Sequence, residues 1–116
     1  MFHLKRVYEE PSKKDGERVL VERLWPRGMA KERAHVDVWL KDVAPSAELR
    51  KWFGHDPERW EQFQKRYWKE LEKNEEAVQL LREKSKHGTV TLIYAAHDEE
   101  HNGALALKQF LDGHKR

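Results

Sequence analysis

Residues 89–95, with sequence TVTLIYA, are the most strand-like run of the chain. Val90, Leu92 and Ile93 are apolar, and Thr89 and Thr91 are β-branched, a composition enriched in β-strands. A nearly continuous apolar run is typical of a strand that is covered on both faces. We therefore expect this segment to be a central strand of a sheet, with the other elements arranged around it.

Three further strands are predicted upstream, at residues 4–8, 18–24 and 35–40. Residues 11–16 form a polar turn between the first two. The second contains Val19, Leu20 and Val21 and is expected to be interior. It must end at Trp25-Pro26-Arg27-Gly28, because proline lacks an N–H and glycine favours an unusual backbone conformation.

Helix signals separate the third and fourth strands. Ser46 can cap a short helix that ends at Gly54, and Asp56-Pro57 is a second start signal. Asn74 caps or kinks the next helix, and Asp98 stands where the N-cap of a final helix belongs. The apolar positions expected to face the core are Trp60, Phe63, Tyr67 and Leu71, then Ala77, Val78, Leu80 and Leu81, then Ala104, Leu107, Phe110 and Leu111.

The order βββαααβα predicts an α/β fold, a single small domain over residues 1–116 with a mostly parallel sheet of about four strands covered by helices. The absence of cysteine excludes disulfides, thiolate nucleophiles and cysteine-based metal sites. The N-terminus has no apolar leader region, and no apolar run is long enough to span a membrane. We therefore expect a cytosolic protein without a membrane partner.

Charge is balanced overall, with 23 Lys and Arg against 21 Asp and Glu, but it is unevenly distributed. Basic residues outnumber acidic ones between positions 18 and 41. This segment suggests a surface for nucleic acid or protein, an alternative to a small-molecule site. The basic residues concerned are Arg18, Arg23, Arg27, Lys31, Arg33 and Lys41.

Ligands of open α/β sheets collect at the carboxyl ends of the strands, and one candidate loop follows the second strand. Arg23 and Arg27 could present two guanidinium groups there, each able to bind a carboxylate or phosphate through two parallel bonds. Gly28 would let a ligand approach the backbone, and Trp25 is a candidate contact. In the structural alternative, Arg23 pairs with Glu22 or Asp37, and Trp25 packs against its neighbours.

The second candidate loop runs from Tyr94 to Asn102. Histidine side chains suit acid or base work near neutral pH, so His101 is a candidate acid or base, with Asp98 as a ligand-binding residue. The acidic residues there already complement the helix dipole, so an anion would need a facing basic group. A metal site from His97, Asp98 and His101 is not expected, because His97 should lie outside the helix.

Residues 45–56 are expected to form a wall of the site, with Ser46 and Arg50 as ligand contacts and His55 as a further acid or base. Ser46 and Asp56 also have sufficient structural roles as helix caps. A triad of Ser46, His55 and Asp98 can be drawn, but no nucleophile-elbow motif accompanies it.

The runs RVLVERLWPRG at 18–28, WLKDVAPS at 39–46, LRKWFGHD at 49–56 and LIYAA at 92–96 resemble the YeaO-like branch of the domain of unknown function 488 family. The resemblance covers nearly the whole chain. It implies a small bacterial or archaeal cytosolic α/β protein, and the family name assigns no activity. The matching motif positions are Arg23, Trp25, Pro26, Arg27, Gly28, Ser46, Arg50, His55, Tyr94, Asp98 and His101.

These patterns lead to one principal hypothesis, an anion-recognising pocket for a phosphorylated or nucleotide-like ligand. Arg23, Arg27 and Arg50 would bind the anion. His55 or His101 would act as acid or base if the pocket is enzymatic. No cofactor or metal is predicted, and the choice between an enzyme and a non-catalytic nucleic-acid or protein-binding module stays open, as does the oligomeric state.

Overall fold

The computed structural model describes residues 1–113, in which four strands form one entirely parallel sheet. The strands are β1 (Phe2–Arg6), β2 (Glu17–Leu20), β3 (Val38–Trp39) and β4 (Val90–Tyr94), in the order β1-β4-β2-β3. Val90 lies opposite Phe2 on one side and opposite Glu17 on the other. The predicted parallel α/β architecture is confirmed.

All five residues of β4 are buried, as expected for a strand that has neighbours on both sides and is covered on both faces. The predicted strand 18–24 is too long, because the chain leaves the sheet after Val21, whose N–H still donates to the Ile93 carbonyl at 3.1 Å. Leu24 is 62% exposed. The bend places Glu22 and Arg23 at the carboxyl edge of the sheet. The predicted strand 35–40 is likewise shortened to Val38–Trp39.

Five helices accompany the sheet: α1 (Lys31–Ala34), α2 (Ala47–Phe53), α3 (Trp60–Lys73), α4 (Glu75–Lys86) and α5 (Gly103–Leu111). The short α1 is not anticipated by the sequence patterns. None of the helices in residues 1–113 combines the length and apolar character needed to cross a membrane.

Capping explains most of the helix boundaries. Ser46 Oγ accepts a hydrogen bond from the Leu49 N–H at 3.2 Å, and Gly54 ends α2 in a left-handed conformation. Asp56 caps a 3-10 turn, Pro57–Arg59, that leads into α3. Asn74 separates α3 from α4 and donates to the Asp42 carbonyl at 2.6 Å.

The predicted N-cap of the last helix is wrong. Asn102, not Asp98, caps α5, because its side-chain oxygen accepts from the Leu105 N–H at 2.8 Å. Asp98 instead closes a preceding turn, with one carboxylate oxygen accepting from the N–H groups of Glu100 and His101. The result is a longer loop after β4 than the sequence indicates.

Alternating residues of β2 and β4 supply two cores on opposite faces of the sheet. Val19 and Leu92 join the larger core with α2, α3, α4 and α5. Leu20 and Ile93 join a smaller core with Ala34 of α1. Most predicted core positions are confirmed. Leu80 is an exception, because 41% of it is exposed on the outer side of α4.

A buried ion pair joins the start of β2 to β1. Asp15 accepts from Arg18 Nη1 at 2.5 Å and from Lys5 Nζ at 3.0 Å. Arg18 also donates to the carbonyls of Ala34 and His35. Arg18 is therefore only 4% exposed and belongs to the interior.

Candidate functional site

The loops that leave β1, β2 and β4 converge at the carboxyl edge of the sheet. Tyr8 Oη donates to the Arg27 carbonyl at 3.0 Å, which ties the loop after β2 to the loop after β1. Arg6 donates to the carbonyls of Ala95 and Ala96, which fixes the loop after β4. A methyl group added at Gly103 would lie 3.3 Å from the Pro45 ring, so the start of α5 packs closely on the segment before α2. These contacts assemble one polar surface from separate parts of the chain.

Arg23 lies half-buried within this surface. Its guanidinium donates to the carbonyls of Ala44 and Pro45 at 3.2 to 3.3 Å. The predicted alternative, a pair with Glu22 or Asp37, does not form. Arg23 therefore holds the segment before α2 in place. Because carbonyl groups are neutral, these hydrogen bonds do not offset the positive charge of the guanidinium.

Arg27 and Arg50 are exposed. Neither guanidinium makes a hydrogen bond or an ion pair with any residue of the described chain. The backbone of Arg27 is nevertheless held by Tyr8, and Arg50 lies within the capped helix α2. Arg27 and Arg50 are therefore two exposed cations on anchored backbone, and the charge of Arg50 acts on the nearby Glu22 carboxyl.

Glu22 is the principal member of the surface that the sequence patterns do not single out. It is half-buried, and its carboxyl group makes no hydrogen bond or ion pair with a described residue. Burial raises the pKa of the Glu22 carboxyl to about 7, an effect that the charge of Arg50 partly opposes. An acidic residue directly after the apolar run of β2 was the available signal.

Ser46 is committed to structure. Its hydroxyl donates to Glu70 Oε2 at 2.6 Å, and its backbone N–H donates to Glu70 Oε1 at 2.9 Å. The same hydroxyl caps α2. Glu70 was also missed, although it lies one helical turn from the buried Tyr67 and so faces inward.

Two predicted aromatic contacts pack into the cores. The Trp25 indole N–H donates to the Met29 carbonyl at 2.6 Å, and its ring meets Trp39 edge to face at 5.4 Å. Tyr94 is 3% exposed, and burial raises the pKa of its phenol. Tyr94 joins the larger core and Trp25 packs against the smaller one, so neither side chain is openly exposed to a ligand.

His101 and Asp98 form a hydrogen-bonded pair, with Nδ1 of His101 2.9 Å from Oδ2 of Asp98. This bond and the backbone N–H of Glu100 hold the pKa of the Asp98 carboxyl below its ordinary value. The His101 ring stands edge-on to Trp60 at 5.4 Å. The pair is thereby held in place against the larger core.

His55 reaches the same aromatic group from α2. Its ring lies 6.3 Å from Phe53, which in turn contacts Trp60 at 6.0 Å. The backbone of His55 has φ of 58°, a conformation uncommon for residues other than glycine. The two predicted catalytic histidines therefore flank one cluster of rings.

The triad of Ser46, His55 and Asp98 is not formed, because Ser46 bonds to Glu70 and Asp98 bonds to His101. His97 lies near Arg6, with Nδ1 3.4 Å from Nη2. Within residues 1–113, no three His, Asp or Glu side chains are grouped so that they could hold a metal ion.

Comparison with known proteins identifies a family that the chain matches. Residues 1–115 match the model described as the inactive DUF488-N3 subclade. The chain is 44% identical over 108 residues to the uncharacterized protein Rv3073c of Mycobacterium tuberculosis, with 93% of this chain and 91% of that protein covered. It is 39% identical over 107 residues to the uncharacterized protein YeaO of Escherichia coli, covering 92% of this chain and 93% of that protein.

No solved structure matches the chain. The family model and the two relatives agree with the resemblance carried by the motifs around Arg23, Arg50 and Asp98. The chain belongs to the DUF488 family, as a YeaO-like member.

Proposed function

We propose that this protein recognises a small anion of the phosphorylated or nucleotide-like class at the carboxyl edge of its sheet, in the cytosol. One observation carries the proposal: the guanidinium groups of Arg27 and Arg50 make no hydrogen bond or ion pair within residues 1–113. Arg23 adds a third charge, because it bonds only to neutral carbonyls. A guanidinium fork binds phosphate or carboxylate through two parallel hydrogen bonds.

Two arginines elsewhere in the chain have carboxylate partners. Arg18 is neutralised by Asp15, and Arg59 lies 3.7 Å from the Asp56 carboxylate. Most surface charges of this protein are also interleaved with charges of the opposite sign. Arg23, Arg27 and Arg50, which have no such ion pair and lie on elements near the carboxyl edge of the sheet, are therefore suited to attract an anion.

We propose binding without turnover. The matched family model is described as an inactive subclade. Ser46 is engaged by Glu70 and by the α2 N-terminus, so its hydroxyl is poorly suited to nucleophilic attack. The acid or base role of His55 and His101 stays a prediction. Hydrolysis of a phosphoester that disappears in His101→Gln would favour an enzyme instead.

The alternative, a nucleic-acid surface over residues 18–41, has one fewer cation than the sequence suggests, because Arg18 is buried in its ion pair. A polyanion that replaces several counterions binds with a steep dependence on salt, whereas a single small anion gives a shallow one. Oligonucleotide binding with a steep salt slope would therefore favour the alternative.

The direct experiment is a thermal-shift titration of the purified protein with sulfate, inorganic phosphate and mononucleotides. Binding to the folded state at a hundredfold excess over Kd adds about 2.7 kcal/mol to the free energy of unfolding. We expect the melting temperature to rise with at least one of these anions. The rise should be lost in Arg27→Ala and in Arg50→Ala.

Lys14→Ala is the matched control, because Lys14 is an exposed cation just before the amino end of β2, at the opposite edge of the sheet. It should retain the full response. A shift of equal size in all three variants, or no shift with any anion, would contradict the proposal.

A further inference from the structure

A groove of about 500 Å³ lies beside β3, between the segment that follows this strand and helix α4. Its lining includes Leu40, Asp42, Asn74 and Leu80. None of the candidate site residues lines it. The groove is therefore a separate feature of the molecule.

The groove has an apolar floor that the protein leaves open. Leu40, Ala77 and Leu80 contribute to it, and Leu80 is 41% exposed. Among the described residues, the other large hydrophobic side chains with comparable exposure are Met1, Tyr8 and Leu24, none of which lines this groove. An exposed leucine inside a concave surface is typical of a contact site for a partner.

The rim of the groove is acidic. Asp42, Glu76 and Glu83 line it, together with neutral polar residues, and no basic residue does. Lys86 Nζ lies 3.0 Å from Glu83 Oε1 in an exposed ion pair, which keeps the pKa of the Glu83 carboxyl below its ordinary value and partly offsets its negative charge. Asp42 and Glu76 form no ion pair within residues 1–113. In a chain with a net charge of +2, Asp42 and Glu76 therefore make this rim locally acidic.

The neighbouring strand offers backbone hydrogen bonds. β3 is the last strand in the sheet order, so one of its edges has no strand beside it in the described chain. Leu40 follows directly on β3 and enters the groove lining. An extended segment added to this edge would run toward the groove, and added strands gain affinity from the main chain and specificity from such pockets.

We propose that β3 and this groove dock an extended segment of a partner protein that carries an apolar side chain between Lys or Arg residues. The apolar side chain contacts Leu80, and the flanking cations face Asp42, Glu76 and Glu83. Charge complementarity selects this occupant. A second copy of the chain docked through the same surface would place carboxylates opposite carboxylates, which is repulsive.

The test uses amide chemical shifts of the ¹⁵N-labelled full chain during titration with an eight-residue peptide of alternating lysine and leucine. A peptide with glutamate in place of lysine is the charge control. We expect saturable shift changes confined to β3, residues 40–42 and α4 with the basic peptide only. Changes spread over acidic residues elsewhere, or no saturable change, would overturn the proposal.

Variants separate the apolar and the charged contributions. Leu80→Ser should weaken binding about tenfold, the loss expected when much of a leucine contact is removed. The double variant E76K/E83K should weaken it at least as much. Leu24→Ser removes a leucine that is even more exposed but lies outside the groove, and it should leave the affinity unchanged.

The same spectra report whether each variant is folded. Affinity for the basic peptide that is unaltered by both groove variants would overturn the proposal. So would shift changes in β3 and α4 that depend on protein concentration without peptide, because a second copy would then be the occupant.

Discussion

Glu22 links the charge state of the candidate site to the stability of the fold. Burial raises the pKa of its carboxyl from 4.5 to about 7. Between pH 4.5 and about pH 7, the Glu22 carboxyl is protonated in the folded protein but ionised in the unfolded chain. The free energy of unfolding therefore falls as the pH rises through this range. Above pH 7, the free energy of unfolding is lower than at acidic pH by at most about 3 kcal/mol. We expect Glu22→Gln to be more stable than the natural protein at pH 8 and to differ much less at pH 5.

Urea unfolding followed by tryptophan fluorescence at the two pH values measures this difference. Glu72→Gln is the control, because Glu72 is an exposed acid on α3. Its curve should stay parallel to that of the natural protein. Equal pH slopes for Glu22→Gln and the natural protein would show that Glu22 titrates normally.

The residues of the site differ in how far the sequence predicts them. The positions of Arg23 and Arg27 in the loop after β2, and of Arg50 in α2, follow from strand and helix signals. What Arg23 bonds to does not, because the carbonyls of Ala44 and Pro45 meet it only after the chain folds back. The Ser46–Glu70 bond joins α2 to α3 and has no local pattern either.

The start of β2 depends on the absence of a side chain at Gly16. A Cβ there would lie 2.1 Å from the Thr89 carbonyl oxygen, and the backbone has φ of 63°. The same oxygen accepts a hydrogen bond from the Glu17 N–H at 3.0 Å, so this approach aligns β2 with β4. We expect Gly16→Ala to lower the free energy of unfolding by at least about 2 kcal/mol in urea denaturation.

Gly28→Ala separates the two causes of that loss. Gly28 also has a positive φ, of 73°, but an added Cβ would meet no atom within 4 Å. Its loss should be limited to the cost of the left-handed conformation, about 1 kcal/mol. Equal losses in the two variants would mean that the contact with Thr89 is unimportant.

Element boundaries show where local signals are sufficient. Ser46, Gly54 and Asp56 act as the sequence predicts, because a cap bonds to residues two to four positions away. At α5, both Asp98 and Asn102 are residues that can cap a helix, and each accepts backbone hydrogen bonds. Asp98 closes a turn and Asn102 starts the helix. The helix begins at Gly103, which lies close to the Pro45 ring, a contact between residues far apart in sequence that no local signal indicates.

The architecture of the whole molecule was predictable because the run of residues 90–94 is apolar at nearly every position, a property that only a strand covered on both faces requires. The neighbours of β4 were not predictable from the same run. Their pairing depends on matching registers between β1, β4 and β2, and such contacts leave no periodic signal. The open floor around Leu80 was missed for a similar reason, since helical spacing alone marks Leu80 as a core residue.

The strand order also constrains how the chain can fold during synthesis. β1 and β2 are made first, yet each pairs with β4, which is made after all the helices except α5. Pairing over such sequence separations is slow, because the intervening chain must be closed into a loop before any contact forms. We expect a fragment of residues 1–88 to show helical circular dichroism at most, with no dispersed amide spectrum. Well-dispersed strand signals from that fragment would contradict this view.

A ribosome-bound chain should likewise acquire its sheet only after Tyr94 has left the exit tunnel. Until then, the apolar residues of β1 and β2 are exposed to chaperones.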